Sequence, residues 1–312
     1  MAASADSPSF PSRFPNWRFA TWGGKQWWTD FHWQQGWRIQ QNLLTGHWRL
    51  IDPRNVRYAW GSRLACQQAL ARLLSTHPPP NAGQPASAPT STRTVILLHG
   101  LLRTAASMRK LQTYLTASLP YNVICFQYAS TRGAIAAHAA ALREVIGGLP
   151  DEPPLSFVGH SMGNIVVRHA LADWRDAGQS AVLNRIDSIV MLGPPNRGSS
   201  IARQLARTGV FGLLTGRGGM ELGPGWQQFE RHLAIPHCPF GIIAGRLPSG
   251  ILHNPLVDGA GDFIVSVEET RLEGAADFLE VPRMHSVLMN DPQVHRAVSN
   301  FLQYHSFQAP AS

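Results

Sequence analysis

The sequence of 312 residues is poor in charge, in cysteine and in long apolar runs, and each shortage excludes a class of protein. Charged residues make up 15% of the chain and hydrophobic residues 44%, a balance that a disordered chain does not have. The three cysteines are too few and too dispersed for a disulfide framework or a zinc site. No apolar run approaches the roughly 18 residues that a membrane-spanning helix requires. We therefore expect a folded protein with reduced thiols that is not an integral membrane protein.

The first residues do not resemble a secretory signal. The segment MAASADSPSFPSRFPNW has no apolar core, and Pro8, Pro11 and Pro15 would interrupt one. We therefore expect a cytoplasmic protein, and peripheral association with a membrane stays open.

Positive charge and tryptophan are concentrated near the start of the chain. The net charge is +8, and residues 1–93 hold ten Lys and Arg against three Asp and Glu. Eight of the ten tryptophans lie at or before Trp60. A proline-rich segment, residues 77–93, then reads as an exposed linker. The sequence thus predicts a small N-terminal subdomain (1–76), the linker, and a larger domain (94–306).

The N-terminal subdomain carries the pattern of a β-meander followed by a helix. Residues alternate over three short strands between Trp37 and Trp60, with turns at Thr45-Gly46 and at 52–55. The helix is expected over SRLACQQALARLL. The segment WTDFHWQQGWRI is open to a helical interpretation through Trp33 and Trp37.

Three roles fit this Trp- and Arg-rich subdomain. Cations interleaved with aromatic rings suit an anionic membrane surface or single-stranded nucleic acid. The alternative is a structural unit that packs its tryptophans against the larger domain. We favour the structural role and expect no nucleic-acid partner, because no RNA- or DNA-binding motif accompanies the charge.

From Thr94 onward, short apolar strands alternate with helices. The strands are TVILLHG, NVICFQY, LSFVGH, SIVMLGPP, FGIIAG and DFLEVP. This alternation predicts the α/β class, a mostly parallel sheet with helices on both faces. Ligands bind such sheets beyond the carboxyl ends of the strands, so residues directly after strands are the candidates for chemistry.

The strongest candidate follows the strand LSFVGH, where Gly159-His160-Ser161-Met162-Gly163 precedes a helix. In a Gly-x-Ser-x-Gly turn the glycines give room for a strained central serine, whose hydroxyl then points out of the sheet. The start of the helix adds free N–H groups beside that hydroxyl. Ser161 is therefore the predicted nucleophile.

A second group follows the first strand of the alternation, at His99-Gly100-Leu101. Acyl transfer needs two N–H donors for the developing oxyanion, and a glycine after this strand lets the backbone approach the substrate. We expect Leu101 N–H and Met162 N–H to form this pair. His99 is expected to anchor the loop by hydrogen bonds and not to act as the base.

The acid and the base are expected after later strands, in the order Ser, acid, His. The strand FGIIAG is followed by Asp258 and Asp262, and the strand DFLEVP is followed by His285. Position alone does not separate the two aspartates. We favour Asp262, because Gly259, Ala260 and Gly261 precede it and apolar residues follow it.

The chain resembles the bacterial esterase/triacylglycerol-lipase branch of the α/β-hydrolase fold superfamily over about residues 94–306. The resemblance is carried by HGL at 99–101, GHSMG at 159–163, MLGPPNRGS at 191–199, GDFIVSVEET at 261–270 and MHSVLMNDPQV at 284–294. It implies Ser161 as nucleophile, Asp262 as acid and His285 as base. The family usually has Asp-Gly where this chain has Asp262-Phe263.

The expected function is hydrolysis of a carboxylic ester, small or lipid, through an acyl-enzyme, with no cofactor or metal. A thioesterase, amidase or acyltransferase would use the same triad. A binding protein on a hydrolase scaffold and an adaptor acting through residues 1–76 are the alternatives from other classes. The glycine-rich and apolar segment 199–238 suits either a mobile lid or an ordinary loop over its own core. The sequence leaves the oligomeric state open.

Overall fold

The structure is a computed structural model, and it describes residues 18–76, 93–198, 221–222, 226–248 and 259–310. The described strands form two sheets, one near the N-terminus and one in the rest of the chain. None of the described helices combines the length and the hydropathy that crossing a bilayer requires.

The first sheet is antiparallel, and its strands stand in the order β1-β5-β4-β3-β2. Its strands are β1 (Phe19–Ala20), β2 (Trp28–Gln34), β3 (Trp37–Asn42), β4 (Trp48–Ile51) and β5 (Val56–Gly61). Helix α1 (Arg63–Thr76) follows and buries Cys66 and Leu70 against Ile39 and Leu50 of the sheet. The predicted meander and helix are confirmed, and the helical interpretation of the segment after Trp28 is wrong.

The second sheet has six parallel strands in the order β11-β10-β9-β8-β6-β7. They are β6 (Arg93–Leu98), β7 (Tyr121–Phe126), β8 (Leu155–His160), β9 (Ile186–Leu192), β10 (Phe240–Gly245) and β11 (Asp277–Val281). The described helices between and after them are α2 (Arg109–Ser118), α3 (Ile135–Gly147), α4 (Met162–Asp176), α5 (Ser180–Asn184), α6 (Trp226–Glu230), α7 (Val267–Thr270) and α8 (Pro292–Tyr304). Short 3₁₀ helices cover Ala105–Met108 and His285–Asn290.

Apolar side chains of the parallel sheet alternate between two cores. Ile96 and Leu98 of β6 pack with α3 and α4, whereas Val95 and Leu97 pack with α2 and α8 on the opposite face. Successive side chains of a strand point to opposite faces, so a continuously apolar strand fills both cores. The predicted α/β class, with helices on both faces of a parallel sheet, is confirmed.

The two sheets are joined at the carboxyl end of β7. Asp30 of β2 donates its N–H to Gln127 O at 2.8 Å, and its Oδ2 accepts the N–H of Gln127 at 2.8 Å. Burial raises the pKa of Asp30, and Gln40 donates to its Oδ1 at 2.6 Å. Phe31 and Trp33 pack against the core of the larger sheet. The described part of the N-terminal segment is therefore docked on the larger domain.

Several N-terminal aromatic rings stay in solvent and do not pack inward. Trp22 is 82% exposed and Trp60 is 49% exposed, so the expectation that the tryptophans are stored against the larger domain is wrong for these two. Cations cover their faces, since Lys25 Nζ lies 3.5 Å from the centroid of Trp22 and the Arg57 guanidinium lies 4.7 Å from that of Trp60. Such pairs are attractive even when they are exposed.

Candidate active site

Ser161 lies in a sharp turn between β8 and α4. Its backbone has φ 52° and ψ −124°, a strained conformation for a residue other than glycine. The turn requires small neighbours, because a Cβ atom at Gly163 would lie 2.7 Å from Leu98 O and one at Gly159 would lie 2.2 Å from Asn164 Oδ1. The structure thus gives the Gly-x-Ser-x-Gly segment the geometry of a nucleophile elbow.

The loop after β6 lies directly against this elbow. A Cβ atom at Gly100 would come within 3.0 Å of Ser161 Cβ, so only glycine permits the approach. Leu101 follows in the turn, and Arg103 N–H donates to Gly100 O at 3.2 Å. Met162 is the first residue of α4, and its N–H therefore has no partner inside the helix. The two predicted oxyanion donors flank the serine from the loop and from the helix.

His99 anchors this loop and is unsuited to be a base. Its ring is fully buried and stacks on Tyr128 with the centroids 4.1 Å apart. Its Nδ1 lies 2.9 Å from Gly100 O, and Tyr128 N–H points to its Nε2 at 3.5 Å. Burial lowers the pKa of His99 to about 4, so the ring stays neutral at pH 7.

Asp262 and His285 form a buried pair at the same edge of the sheet. The Nδ1 of His285 lies 2.7 Å from Asp262 Oδ2, and His285 N–H donates to Asp262 O at 2.9 Å. The other carboxylate oxygen of Asp262, Oδ1, accepts N–H groups from Ile264 at 3.1 Å and Val265 at 2.8 Å. A Cβ atom at Gly245, the end of β10, would lie 2.5 Å from Asp262 Cβ, so this glycine makes room for the acid. Two backbone N–H groups fix the carboxylate through Oδ1 and leave Oδ2 for the imidazole.

His285 is placed by residues that follow β8 and β9. His160 of the elbow is buried, and its Nε2 donates to His285 O at 3.0 Å. Burial and the neighbouring His285 hold the pKa of His160 well below its usual range, so this ring is neutral. A Cβ atom at Gly193 would lie 3.0 Å from His285 Nδ1. Sequence reasoning assigned no role to His160 or Gly193, although both lie directly at strand ends.

The departure from the family pattern at Phe263 has a conformational consequence. Phe263 has φ 82°, in the region that favours glycine. The backbone that turns Asp262 towards β10 needs this positive φ, which explains why the family usually has glycine after the aspartate. This chain makes the turn with a phenylalanine instead. A residue with a Cβ atom at positive φ costs about 1–2 kcal/mol.

Paired substitutions at this position are expected to reveal the strain. Phe263→Gly and Phe263→Ala both remove the phenyl ring, but only the alanine keeps the Cβ atom. We expect the free energy of unfolding of Phe263→Gly to exceed that of Phe263→Ala by about 1 kcal/mol in urea titration. Equal stabilities, or a more stable alanine variant, would contradict the strain.

Four exposed apolar side chains are close in sequence to the predicted site residues. Leu102 is 59% exposed and Val287 is 41% exposed, and Ile264 and Met284 are also exposed. Each lies within two residues of a predicted oxyanion donor, acid or base. An apolar rim of this kind suits a substrate with an apolar acyl group.

Two sequence expectations fall largely outside the described residues. Asp258, the alternative acid, is one of them. The possible lid at 199–238 is described only at 221–222 and from Trp226 onward, and there Leu222, Trp226 and Leu233 are buried in the core of the larger domain.

Comparison with known proteins agrees with this geometry. Residues 89–192, about a third of the chain and including the elbow, match the family model described as "Putative serine esterase (DUF676)". No curated protein matches the chain.

Two solved structures illustrate the likeness in fold. One is the mature lipase BlEst2 of Bacillus licheniformis, with a TM-score of 0.51, 16% identity, and coverage of 72% of this chain and 96% of the lipase. The other is the phospholipase PlaB of Legionella pneumophila, with a TM-score of 0.53, 18% identity, and coverage of 69% of this chain and 60% of the phospholipase. The parallel sheet, the elbow serine and the match to the esterase model show that the chain is a serine ester hydrolase with the α/β-hydrolase fold.

Proposed function

We propose that Ser161, His285 and Asp262 form the catalytic triad of this hydrolase, and that Leu101 N–H and Met162 N–H form its oxyanion hole. The observation that carries the proposal is the 2.7 Å contact between His285 Nδ1 and Asp262 Oδ2 at the sheet edge that holds the strained Ser161. Asp262 is preferred over Asp258 because its carboxylate already contacts the imidazole.

The reaction follows from these positions. Ser161 Oγ attacks the ester carbonyl, and His285 Nε2 takes the hydroxyl proton while its Nδ1–H donates to Asp262. The carbonyl oxygen becomes an oxyanion that accepts the two backbone N–H groups. Collapse of this intermediate breaks the bond to the alkoxy group, which leaves with the proton of His285. Water then repeats both steps on the acyl-enzyme and releases the acid.

The proposed substrates are carboxylic esters with an apolar acyl group, including lipid esters. The exposed rim at Leu102, Ile264, Met284 and Val287 supports this choice. The exposed rings of Trp22 and Trp60, each with a cation over its face, support peripheral contact with an anionic lipid surface. The cytoplasmic location and the division into 1–76, 77–93 and 94–306 also stay predictions.

The function is tested by labelling with a serine-reactive fluorophosphonate, followed by p-nitrophenyl esters of graded chain length. We expect one labelled serine, and turnover that depends on chain length. The same series with anionic vesicles, at low and high salt, tests the lipid contact, because electrostatic attraction to the surface weakens as salt rises. If the folded chain neither reacted with the probe nor hydrolysed any ester, the proposal would be contradicted.

A further inference from the structure

Two histidines and an aspartate come together on the second half of helix α4, outside the triad. His169 and Asp173 lie one turn apart on the helix, and His232 follows helix α6. Asp173 Oδ1 lies 2.9 Å from His232 Nε2 and 3.3 Å from His169 Nδ1. One ligand atom from each residue lies within 4.8 Å of the other two.

These separations fit a single small metal ion. Zinc binds imidazole nitrogen at about 2.0–2.1 Å and carboxylate oxygen at about 2.0–2.2 Å, so ligands at tetrahedral angles stand about 3.3–3.5 Å apart. The 3.3 Å distance lies in this range, and the 2.9 Å distance, which is a hydrogen bond in the structure, would have to lengthen slightly to admit the ion. Imidazole and carboxylate ligands together suit zinc and its neighbours in the first transition row.

The surroundings orient each ligand. Arg143 Nη1 lies 3.4 Å from Asp173 Oδ2, which leaves Oδ1 for the cluster. Asp176 Oδ2 lies 3.9 Å from His232 Nδ1, the nitrogen that points away from Asp173. Outer contacts of this kind fix the ligands of metal sites.

His169 gives the second, independent observation. Its side chain is only 9% exposed, and Asp173 Oδ1 lies 3.3 Å from its Nδ1, but no described residue makes a well-aligned hydrogen bond with this nitrogen. A buried nitrogen without a partner is costly, and a metal ion would satisfy it.

We propose that His169, Asp173 and His232 bind a zinc-class transition-metal ion. The ion ties the segment after α6 to helix α4. The sequence predicted no metal because its zinc argument rested on cysteines, whereas these ligands come from two distant segments.

The test is a zinc titration of the full chain without a histidine tag, after metal removal with a chelator. We expect one equivalent of Zn²⁺ to bind and to raise Tm. His232→Ala, at an exposed position, should weaken binding at least tenfold. The matched control is His237→Ala, an exposed histidine whose Nε2 contacts Leu183 O at 2.8 Å outside the cluster. The absence of binding by the wild type, or equal affinity of His232→Ala, would overturn the proposal.

A second inference comes from Gln26, in the turn before β2. Its side chain crosses to two loops at the carboxyl edge of the larger sheet. Gln26 Nε2 donates to Arg103 O at 2.5 Å, and its Oε1 accepts the hydroxyl of Ser130 at 3.0 Å and the N–H of Thr131 at 3.2 Å. A residue of the N-terminal subdomain therefore bridges the loops after β6 and β7.

The loop after β6 is also held from two other sides. Gln127 Oε1 accepts the N–H of Ala105 at 2.9 Å, while its Nε2 donates to Lys25 O at 2.6 Å. Arg103 Nη2 donates to Ser286 O at 3.3 Å, next to the predicted base. The turn that carries Leu101 thus depends on contacts with the N-terminal subdomain.

We infer that Gln26 is a positioning residue for the oxyanion hole, and this inference rests on the proposed function. It gives the N-terminal subdomain a part in the reaction. An oxyanion donor acts only in the transition state, so its displacement lowers kcat and leaves KM nearly unchanged.

The test compares Gln26→Ala and Gln26→Glu with the wild type. Alanine removes all three contacts, and glutamate keeps an acceptor for Ser130 and Thr131 but loses the N–H donor to Arg103 O. We expect both to lower kcat by about tenfold to a hundredfold, with KM and Tm little changed. The control is Gln41→Ala, in strand β3 of the N-terminal subdomain, where Gln41 Nε2 contacts Gly46 O at 3.3 Å.

Three results would overturn the inference: an unchanged kcat in both variants, a loss shared with Gln41→Ala, or a loss that follows a fall in Tm. Failure of the proposed function is recognised separately, because the wild type itself would then not react with the fluorophosphonate.

Discussion

Replacement of Ser161 by alanine is expected to reduce ester hydrolysis by several orders of magnitude, as for nucleophiles of other triads. The loss follows because Ser161 carries the only hydroxyl of residues 159–163, the elbow between β8 and α4 beside the predicted oxyanion donors. Alanine also suits the fold, since it removes only the Oγ atom. The measurement is kcat/KM for a p-nitrophenyl ester, alongside the thermal unfolding of the variant.

Ser156 provides a matched control for this substitution. It lies on the same strand β8, is buried, and its hydroxyl contacts that of Ser188 at 3.0 Å, inside the sheet. Ser156→Ala should therefore keep turnover within a few-fold of the wild type. Near-wild-type turnover by a folded Ser161→Ala protein would remove the serine mechanism altogether.

Replacement of Asp262 by asparagine is expected to lower turnover by about 10⁴. The amide keeps the size of the side chain, but its NH₂ group opposes the Nδ1–H of His285 and favours the wrong tautomer. It also removes the negative charge that stabilises the imidazolium. The measurement is kcat at pH 8, with Tm as the control for folding.

The comparison variant is Asp258→Asn, which tests the alternative acid. Asp262 holds the 2.7 Å contact with His285, so Asp258→Asn should change turnover little. The reverse ranking would transfer the role to Asp258. Equal mild effects would mean that some other carboxylate, or none, supports His285.

The sequence predicted the parallel sheet and the elbow because both depend on local patterns. LSFVGHSMG combines an apolar strand with glycines on either side of Ser161, and the steric contacts of Gly159 and Gly163 show why other residues do not fit there. The Asp262–His285 contact was harder to predict, since Asp258 follows the same strand. The structure places Asp262 beside Gly245 and 2.7 Å from His285 Nδ1, whereas Asp258 lies outside the described residues.

The contacts between the two sheets could not be predicted in this way. Gln26 is 77 residues from Arg103 and 104 residues from Ser130. The sequence around a side-chain amide does not indicate which distant residue it will bind. The sequence of β2 was compatible with a strand or a helix, and this ambiguity has a local cause. A bulge between Asp30 and His32 shifts its register with β3, so the alternation of a strand is interrupted. The His169, Asp173 and His232 cluster was missed because its members belong to segments that approach each other only after folding.

The position of β10 and β11 at one edge of the sheet has a consequence during synthesis. His160 and His285 are separated by 125 residues, so the ribosome completes the elbow long before the residues that activate it. The N-terminal sheet and strands β6 to β9 have the neighbours they need to assemble first, whereas Asp262 and His285 arrive with the last strands. A nascent chain that ends before His285 therefore carries the predicted nucleophile without the predicted base, and we expect it to hydrolyse no ester.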